Sequence, residues 1–386
     1  MATYRYLFAD LLSNVITGEL PVRLAIFQTR LNAAGKADFT GSIPLSHPQV
    51  VAQDVENITA PRRTALYVDR DGTLVWGGIV WTRRYASSEN GQLEIKASTF
   101  DSYAYHRWIE GVIPMPDLSD QPQPAGLPQV TFVQVDQLLM AQQLVALMQG
   151  TGAGGMPGGI GIQLGGETCG VLRDRQWFGY EQKGYGEALQ QLSEVENGFD
   201  YLIDVRYDDN DQPAKYLRLG YPQLGRWWGA PTLTFEYPGN VLSYVWPEDG
   251  SSGANDYAEV GIGEGSAMLR SRATTMEPGY PLYQLTGSYK DVKEQWTLDA
   301  HAAEDLRLAY GDVVVPEMTV RADIEPVLGE YWPGDSVRVR ITDYRFPAGS
   351  EGEPGLDTTC RLLGHTTKID DADLESVDLI LSEPLT

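Results

Sequence analysis

From Tyr4 to Trp81 this chain is written as short apolar runs separated by turn residues, a pattern that leaves room for little except antiparallel β-strands. Tyr4-Arg5-Tyr6-Leu7-Phe8-Ala9-Asp10-Leu11, Ile16-Thr17-Gly18-Glu19-Leu20-Pro21-Val22 and the stretch from Leu66 to Trp81 read as successive strands. Gly, Pro, Asn and Asp recur too often between them for helices of more than two turns. Asp71-Gly72, between Leu66-Tyr67-Val68 and Leu74-Val75-Trp76, supplies the positive backbone angles that a two-residue hairpin requires. Trp76, Ile79, Val80 and Trp81 make an apolar return strand, and Leu93-Glu94-Ile95-Lys96-Ala97 alternates as the next. A small barrel buries such faces and hides their edges, so the segment is expected to be a β-barrel rather than an enzyme core.

At 386 residues the chain has room for more than one domain, since a domain typically takes about 100–200 residues. No apolar run approaches the ~20 residues that cross a bilayer, and the polar, aromatic N-terminus lacks a signal-peptide pattern. Folding in the cytoplasm of the producing cell is expected. Cys169 and Cys360 lie far apart, neither a disulfide framework nor a metal-ligand spacing, and are expected to be free thiols. The 29 basic and 53 acidic residues give a net charge of −24. Nucleic-acid affinity rests on neutralising phosphates with Lys and Arg, so sequence-specific DNA or RNA binding is excluded. The acidity also serves solubility.

The pattern divides the chain into four segments: a first barrel at 1–112, a linker at 113–128, an α/β module at 129–231 and a second barrel with closing strands at 232–386. The linker carries Pro114, Pro116, Pro122, Pro124 and Pro128, after a short aromatic turn at Ser102 to Glu110. In the module, Val135 to Met148 has helical periodicity, and a glycine-rich connector runs from Gly150 to Gly166. Gly150-Thr151-Gly152-Ala153-Gly154-Gly155 matches the dinucleotide fingerprint only in form. It follows a helix instead of a strand and runs into Pro157. Tyr185 to Val195 is an amphipathic helix closed by Asn197-Gly198, followed by a strand Phe199 to Tyr207, an acidic tip Asp208-Asp209-Asn210-Asp211 and a strand Tyr216 to Leu219. Beyond residue 232, Leu233 to Tyr237 and Val241 to Trp246 flank a Pro238-Gly239-Asn240 turn, and Asn255 to Gly263 supplies another strand. A helix is expected over 299–310, with Ala302, Ala303, Leu306 and Ala309 on one side. Val313 to Val320, Ser336 to Ile341, Cys360 to His365 and Val377 to Leu381 read as the closing strands, with Asp370, Asp371 and Asp373 exposed before the last.

Chemistry is sparse in this pattern. His47, His106, His301 and His365 show no spacing that places two on one face, so no metal site is expected. Gly250-Ser251-Ser252-Gly253 and Gly263-Glu264-Gly265-Ser266 fall short of a nucleophile elbow. Neither cysteine has a local activating base, and no acid lies in a recognisable lytic motif, although a glycosidase pair drawn from so many acids stays open. The tip at Asp208 lacks the central Gly and closing Glu of a calcium loop. No catalytic residue, cofactor site or metal ligand is assigned. Trp227-Trp228, with Tyr221 and Arg226, reads either as a sugar-stacking platform or as anchors of a turn or subunit interface, where Trp, Tyr and Arg are enriched.

The order of these pieces resembles the baseplate or tail-tip hub proteins (minor tail proteins) of long-tailed bacteriophages. The resemblance is carried by Ala9-Asp10-Leu11, Gly18-Glu19-Leu20-Pro21-Val22, Leu31-Asn32 and Ile43-Pro44-Leu45, by the hairpin from Leu66 to Val80, by the helix and Gly198-Phe199-Asp200-Tyr201 strand, and by Trp332-Pro333-Gly334-Asp335-Ser336-Val337-Arg338-Val339. It implies a mainly β fold with α+β insertions: two small tube-type β-barrel domains plus an α/β module. It further implies a non-enzymatic virion protein of the tail tip, a homotrimeric ring continuing the tail tube. The partners it implies are the distal tail protein, the tape-measure protein and other tail-tip proteins, with transient, non-specific passage of DNA through an acidic channel and no membrane-spanning segment. An acidic wall would not retain a polyanion, although screening confines its field to about 8 Å. Two other readings stay open, a cell-wall carbohydrate-binding adhesin using Trp227 and Trp228, and a peptidoglycan hydrolase.

Overall fold

The computed structural model describes residues 2–36, 38–86, 91–109, 129–195, 197–227, 229, 231–276, 278–290, 292, 294–311, 314–370, 372 and 374–385. The Pro-rich stretch 113–128 lies outside them, as do Trp228, Val313, Asp371 and Asp373. Strand makes up 43% of the structure and helix 17%, so the architecture is mainly β with helical insertions, as the sequence pattern implies. The chain divides into two compact units, Met1–Tyr244 with Glu317–Thr386, and Val245–Pro316. The second lies wholly within the segment 232–386.

The first unit opens with β1 (Tyr4–Asp10), β2 (Ile16–Glu19), β3 (Arg23–Arg30) and β4 (Asp38–Pro44). Two single-turn helices, α1 (Pro48–Val51) and α2 (Val55–Ile58), precede β5 (Thr64–Arg70), β6 (Thr73–Ala86) and β7 (Gln92–Thr99). Asp71 and Gly72 close the β5–β6 hairpin at φ of 52° and 87°, the left-handed angles that the Asp-Gly pair predicts. After a 3-10 turn at Phe100–His106 come β8 (Gln129–Asp136), α3 (Gln137–Met148), β9 (Ile162–Gln163) and β10 (Leu172–Phe178). Then follow α4 (Tyr185–Ser193), β11 (Asp200–Tyr207), β12 (Pro213–Gly220), β13 (Thr234–Tyr237) and β14 (Val241–Val245). The second unit holds β15 (Asp256–Val260), β16 (Arg270–Thr274), β17 (Gln284–Ser288) and α5 (Gln295–Ala309), a helix that starts a turn before the expected 299–310. The chain returns to the first unit with β18 (Glu317–Arg321), β19 (Ser336–Ile341), β20 (Leu356–Ile369) and β21 (Glu375–Leu381).

One 13-stranded sheet runs through the first unit in the order β14-β18-β21-β20-β3-β4-β7-β6-β5-β1-β2, with β19 on β20 and β13 on β19. Its joint is the antiparallel pairing of β3 with β20, from Gly364↔Arg30 to Lys368↔Ile26. At 14 residues, β20 is long enough to pair β19 along its first half and both β3 and β21 along its second. The strands expected for a first and a second barrel therefore continue into one another along a branched path, and among the described residues no sheet closes into a barrel. Nor do β13 and β14 form a hairpin about Pro238. Asn240 closes that turn with its side chain, donating from Nδ2 to Thr234 O and Glu325 O and accepting from Glu236 N. The backbones of both strands are thereby left for other partners, β19 for β13 and β18 for β14.

The α/β segment has no core of its own. Leu7, Ala9, Tyr67 and Phe100 from the opening strands belong to the same buried cluster as Leu138, Leu144, Leu189, Ile203 and Leu217. Helix α3 enters this cluster from a firm start, because the Asp136 carboxylate accepts from Leu138 N at 2.9 Å as its N-cap. Amphipathic α4 buries Tyr185, Ala188, Leu189 and Leu192. A separate aromatic core packs Phe27 on Phe39 at 6.4 Å and Phe39 on Trp76 at 5.3 Å between ring centroids.

Candidate binding cleft

Strand alternation places the first wall of a cleft in the first unit. Tyr201, Ile203 and Val205 of β11 point into the core, so Leu202, Asp204 and Arg206 lie on the opposite face of the same strand, where Leu202 is buried with Leu31 and Leu224. Arg218 sits on β12 opposite Leu202 and reaches Asp204 Oδ2 at 3.3 Å, while Arg206 approaches it at 3.9 Å. Burial nevertheless pushes the Asp204 carboxyl above its ordinary range, outweighing both arginines. The Arg206 guanidinium lies 4.3 Å over the Tyr216 ring.

The opposite wall is a brace between the turn 221–227 and the corner 332–335. Asp335 accepts from Trp332 N at 3.0 Å, Arg226 N at 2.8 Å, and Arg226 Nε and Nη2 at 3.2 and 2.6 Å. Arg226 Nη2 also donates to Glu330 O at 2.7 Å. The two backbones touch at Gly225 and Gly334, with φ of 97° and 105°; a Cβ on Gly225 would stand 2.2 Å from the Gly334 carbonyl carbon. Asp200 ties in the remainder, accepting from Leu224 N at 2.8 Å and from the Arg361 guanidinium. Between these walls is a cleft of about 950 Å³ lined by Tyr207, Tyr221, Trp227 and Trp332, together with Glu167, Cys169 and the charged groups above. Its lining carries Arg206, Arg218 and Arg226 with Glu167, Asp204 and Asp335, and polar groups of both signs beside aromatic rings suit a neutral polar ligand.

Of the residues singled out in sequence, Tyr221, Arg226 and Trp227 come together here, and Trp228 lies outside the described residues. Asp335, Trp332 and Asp204 were legible only as parts of a turn and a strand, because what joins them spans more than a hundred residues. The histidines stay apart: His47 accepts from Gln49 N at the start of α1, His106 stacks on Trp81, His301 on Tyr289, and His365 is buried edge-on to Tyr331. Among the described residues no group of three or more His, Cys, Asp or Glu side chains could hold a metal ion. Both cysteines are free, and burial pushes the Cys360 thiol up to about 12. The tip at Asp208 is a self-bonded turn, its Oδ1 accepting from Asn210 N and Gln212 N.

An apolar groove of about 600 Å³ lies elsewhere on the first unit, lined by Leu24, Ile26, Leu242 and Leu374 with Lys368, Asp370 and Arg321 at its rim. Leu24 is held at a φ of 51° where the β3–β4 register slips. That angle is strained for a leucine, yet the side chain stays 49% exposed.

No family model matches the sequence, and no curated protein matches it. Among solved structures, the chain is similar to a tail protein from Neisseria meningitidis MC58, with 14% identity, a TM-score of 0.60, and coverage of 98% of this chain and 96% of that one. It is also similar to the 43 kDa tail protein of prophage MuSo2 from Shewanella oneidensis, with 12% identity, a TM-score of 0.61 and 98% of each chain covered. A chain of the Francisella PdpA–VgrG complex matches at 7% identity and a TM-score of 0.54, over 99% of this chain and 58% of that one. At such identities the likeness is one of fold, a fold the chain shares with these two tail proteins.

Proposed function

We propose that this chain is a structural protein of a bacteriophage tail tip, a hub whose copies form a trimeric ring that continues the tail tube. The observation that carries this reading is the match, over 98% of the chain, to two tail proteins. In this reading the ring meets the distal tail protein, the tape-measure protein and other tail-tip proteins, acts without catalysis, and leaves a passage through which DNA moves. The net charge of −24 suits a wall that must not retain a polyanion. The groove around Leu24, Ile26, Leu242 and Leu374 supports contact between copies, since it joins exposed apolar side chains to β14, an edge strand of the sheet. Native mass measurement of the chain, alone and with the distal tail protein of the same tail, tests the reading. A trimer is expected, and L242D with L374D is expected to shift the mass to the monomer; a wild-type monomer in both preparations overturns it.

The cleft favours one further reading. Four aromatic side chains beside paired arginines and acids form the kind of surface on which sugar rings stack, so the hub could also hold cell-wall carbohydrate. Titration with soluble peptidoglycan fragments tests this: saturable binding that W227A removes supports it, and no binding by the wild type ends it.

A further inference from the structure

Beneath α5, in the second unit, one carboxyl group has nothing among the described residues to compensate its charge. Glu259 lies on β15, the central strand of the sheet β16-β15-β17. It is 1% exposed, and neither of its carboxyl oxygens receives a hydrogen bond from a donor among the described residues. Its register partner on the parallel strand β17 is Gly287, where a Cβ would stand 2.1 Å from Glu259 Oε1. The side chain that Gly287 lacks is the space the carboxyl fills. An ionised carboxylate there would be desolvated and unpaired, a condition proteins avoid by neutralising the group.

The group that faces Glu259 across the helix–sheet interface is a second acid. Burial, then the hydrogen bond and the like charge of Asp305 on α5, push the Glu259 carboxyl up to about 7. Two carboxyls brought together in this way repel each other unless a proton lies between them. Asp305 Oδ2 also accepts from the Tyr289 hydroxyl at 3.0 Å. Among the described residues, the other polar groups at this interface add no cation to Glu259. Tyr257 shares its face of β15, and His301 of α5 stacks on Tyr289 at 4.0 Å. Ser271, the register partner on β16, donates to Asp299. Arg272 is engaged with Asp256, which also accepts from Gln284.

We propose that the second unit is proton-gated: one proton shared between Glu259 and Asp305 fastens α5 to its sheet, and losing it loosens the helix as the pH rises from mildly acidic to neutral. The inference goes beyond the tail-tip reading and does not depend on it. The folded carboxyl holds its proton more tightly than the unfolded one, so its stabilisation is complete below the ordinary carboxylate range and is lost as the pH rises through the folded value.

Hydrogen exchange of the α5 amides, read by mass spectrometry on the full chain and corrected for the intrinsic pH dependence of exchange, tests this. Protection is expected to fall by up to about tenfold per pH unit between about pH 5 and pH 7 and then to level off. E259Q, neutral at every pH, is expected to keep at neutral pH the protection that wild type shows in acid, and D305N, which removes the like charge, is expected to flatten the slope. Wild-type protection that stays constant across the range, E259Q no better protected than wild type at neutral pH, or D305N with the full wild-type slope would each overturn the proposal.

Discussion

Lys215 shows how a single buried residue records the packing around it. Its Nζ is held at 2.8 Å from both Asn14 Oδ1 and Ile160 O, with the Phe100 ring 4.9 Å away. Burial lowers its pKa to about 8. Because the unfolded chain binds that proton more tightly, the stability of the wild type relative to K215M should rise between about pH 8 and pH 10, by on the order of 1–2 kcal/mol. Urea denaturation of the two proteins at both pH values measures the difference, and a constant gap would show that Lys215 is not desolvated. Arg70 and Glu375 make the opposite case, a buried charge that is fully paired. Arg70 Nη2 and Nε reach Glu375 at 2.5 and 3.0 Å, Tyr4 OH donates to the same carboxylate, and Arg70 also donates to Ala322 O and Leu328 O. E375A leaves the buried guanidinium with two carbonyl acceptors and only the more distant Asp71 carboxylate, at 3.9 Å, so it should cost up to about 3–5 kcal/mol in the same denaturation assay. A loss typical of a surface pair, below about 1 kcal/mol, would contradict this burial.

At the scale of elements, the two glycines of the cleft brace are coupled by contact. A methyl group on Gly225 meets the Gly334 backbone, and one on Gly334 meets Leu224 O at 2.3 Å. Both residues also hold left-handed angles. G225A and G334A should each destabilise by about 1–3 kcal/mol through overpacking and strain. The double variant should cost less than their sum, because one displacement relieves both clashes. A double-mutant cycle that is strictly additive would mean that the two turns move independently. The β5–β6 hairpin was legible from Asp71-Gly72 because its geometry is local. The partners of β13 and β14 were not, since the Asn240 side chain that closes their turn looks the same in sequence whichever strands it leaves free.

For the whole molecule, the decisive joint is β3 with β20, which brings residues 26–30 against 364–368. G364V, whose Cβ would press on Thr29 O at 2.6 Å, should lower the thermal midpoint cooperatively for the whole first unit. Circular dichroism at a strand wavelength checks this, and separate transitions for the N- and C-terminal strands would show that the sheet is not one structural unit.

The sequence by itself determined that the chain is mainly strand, the course of several strands and helices, and the tight turn at Asp71-Gly72, because a two-residue alternation, an Asp-Gly turn or a helical period is decided by neighbours in the chain. Tertiary structure alone decided that the opening and closing strands share one sheet, that residues 245–316 stand as their own unit, and that Trp227 meets Trp332 and Asp204 in a cleft. The physical reason is the same in each case. Strand partners and the neutralisation of buried charges such as Lys215 and Glu259 depend on groups far away in the chain, whose approach leaves no trace in local periodicity.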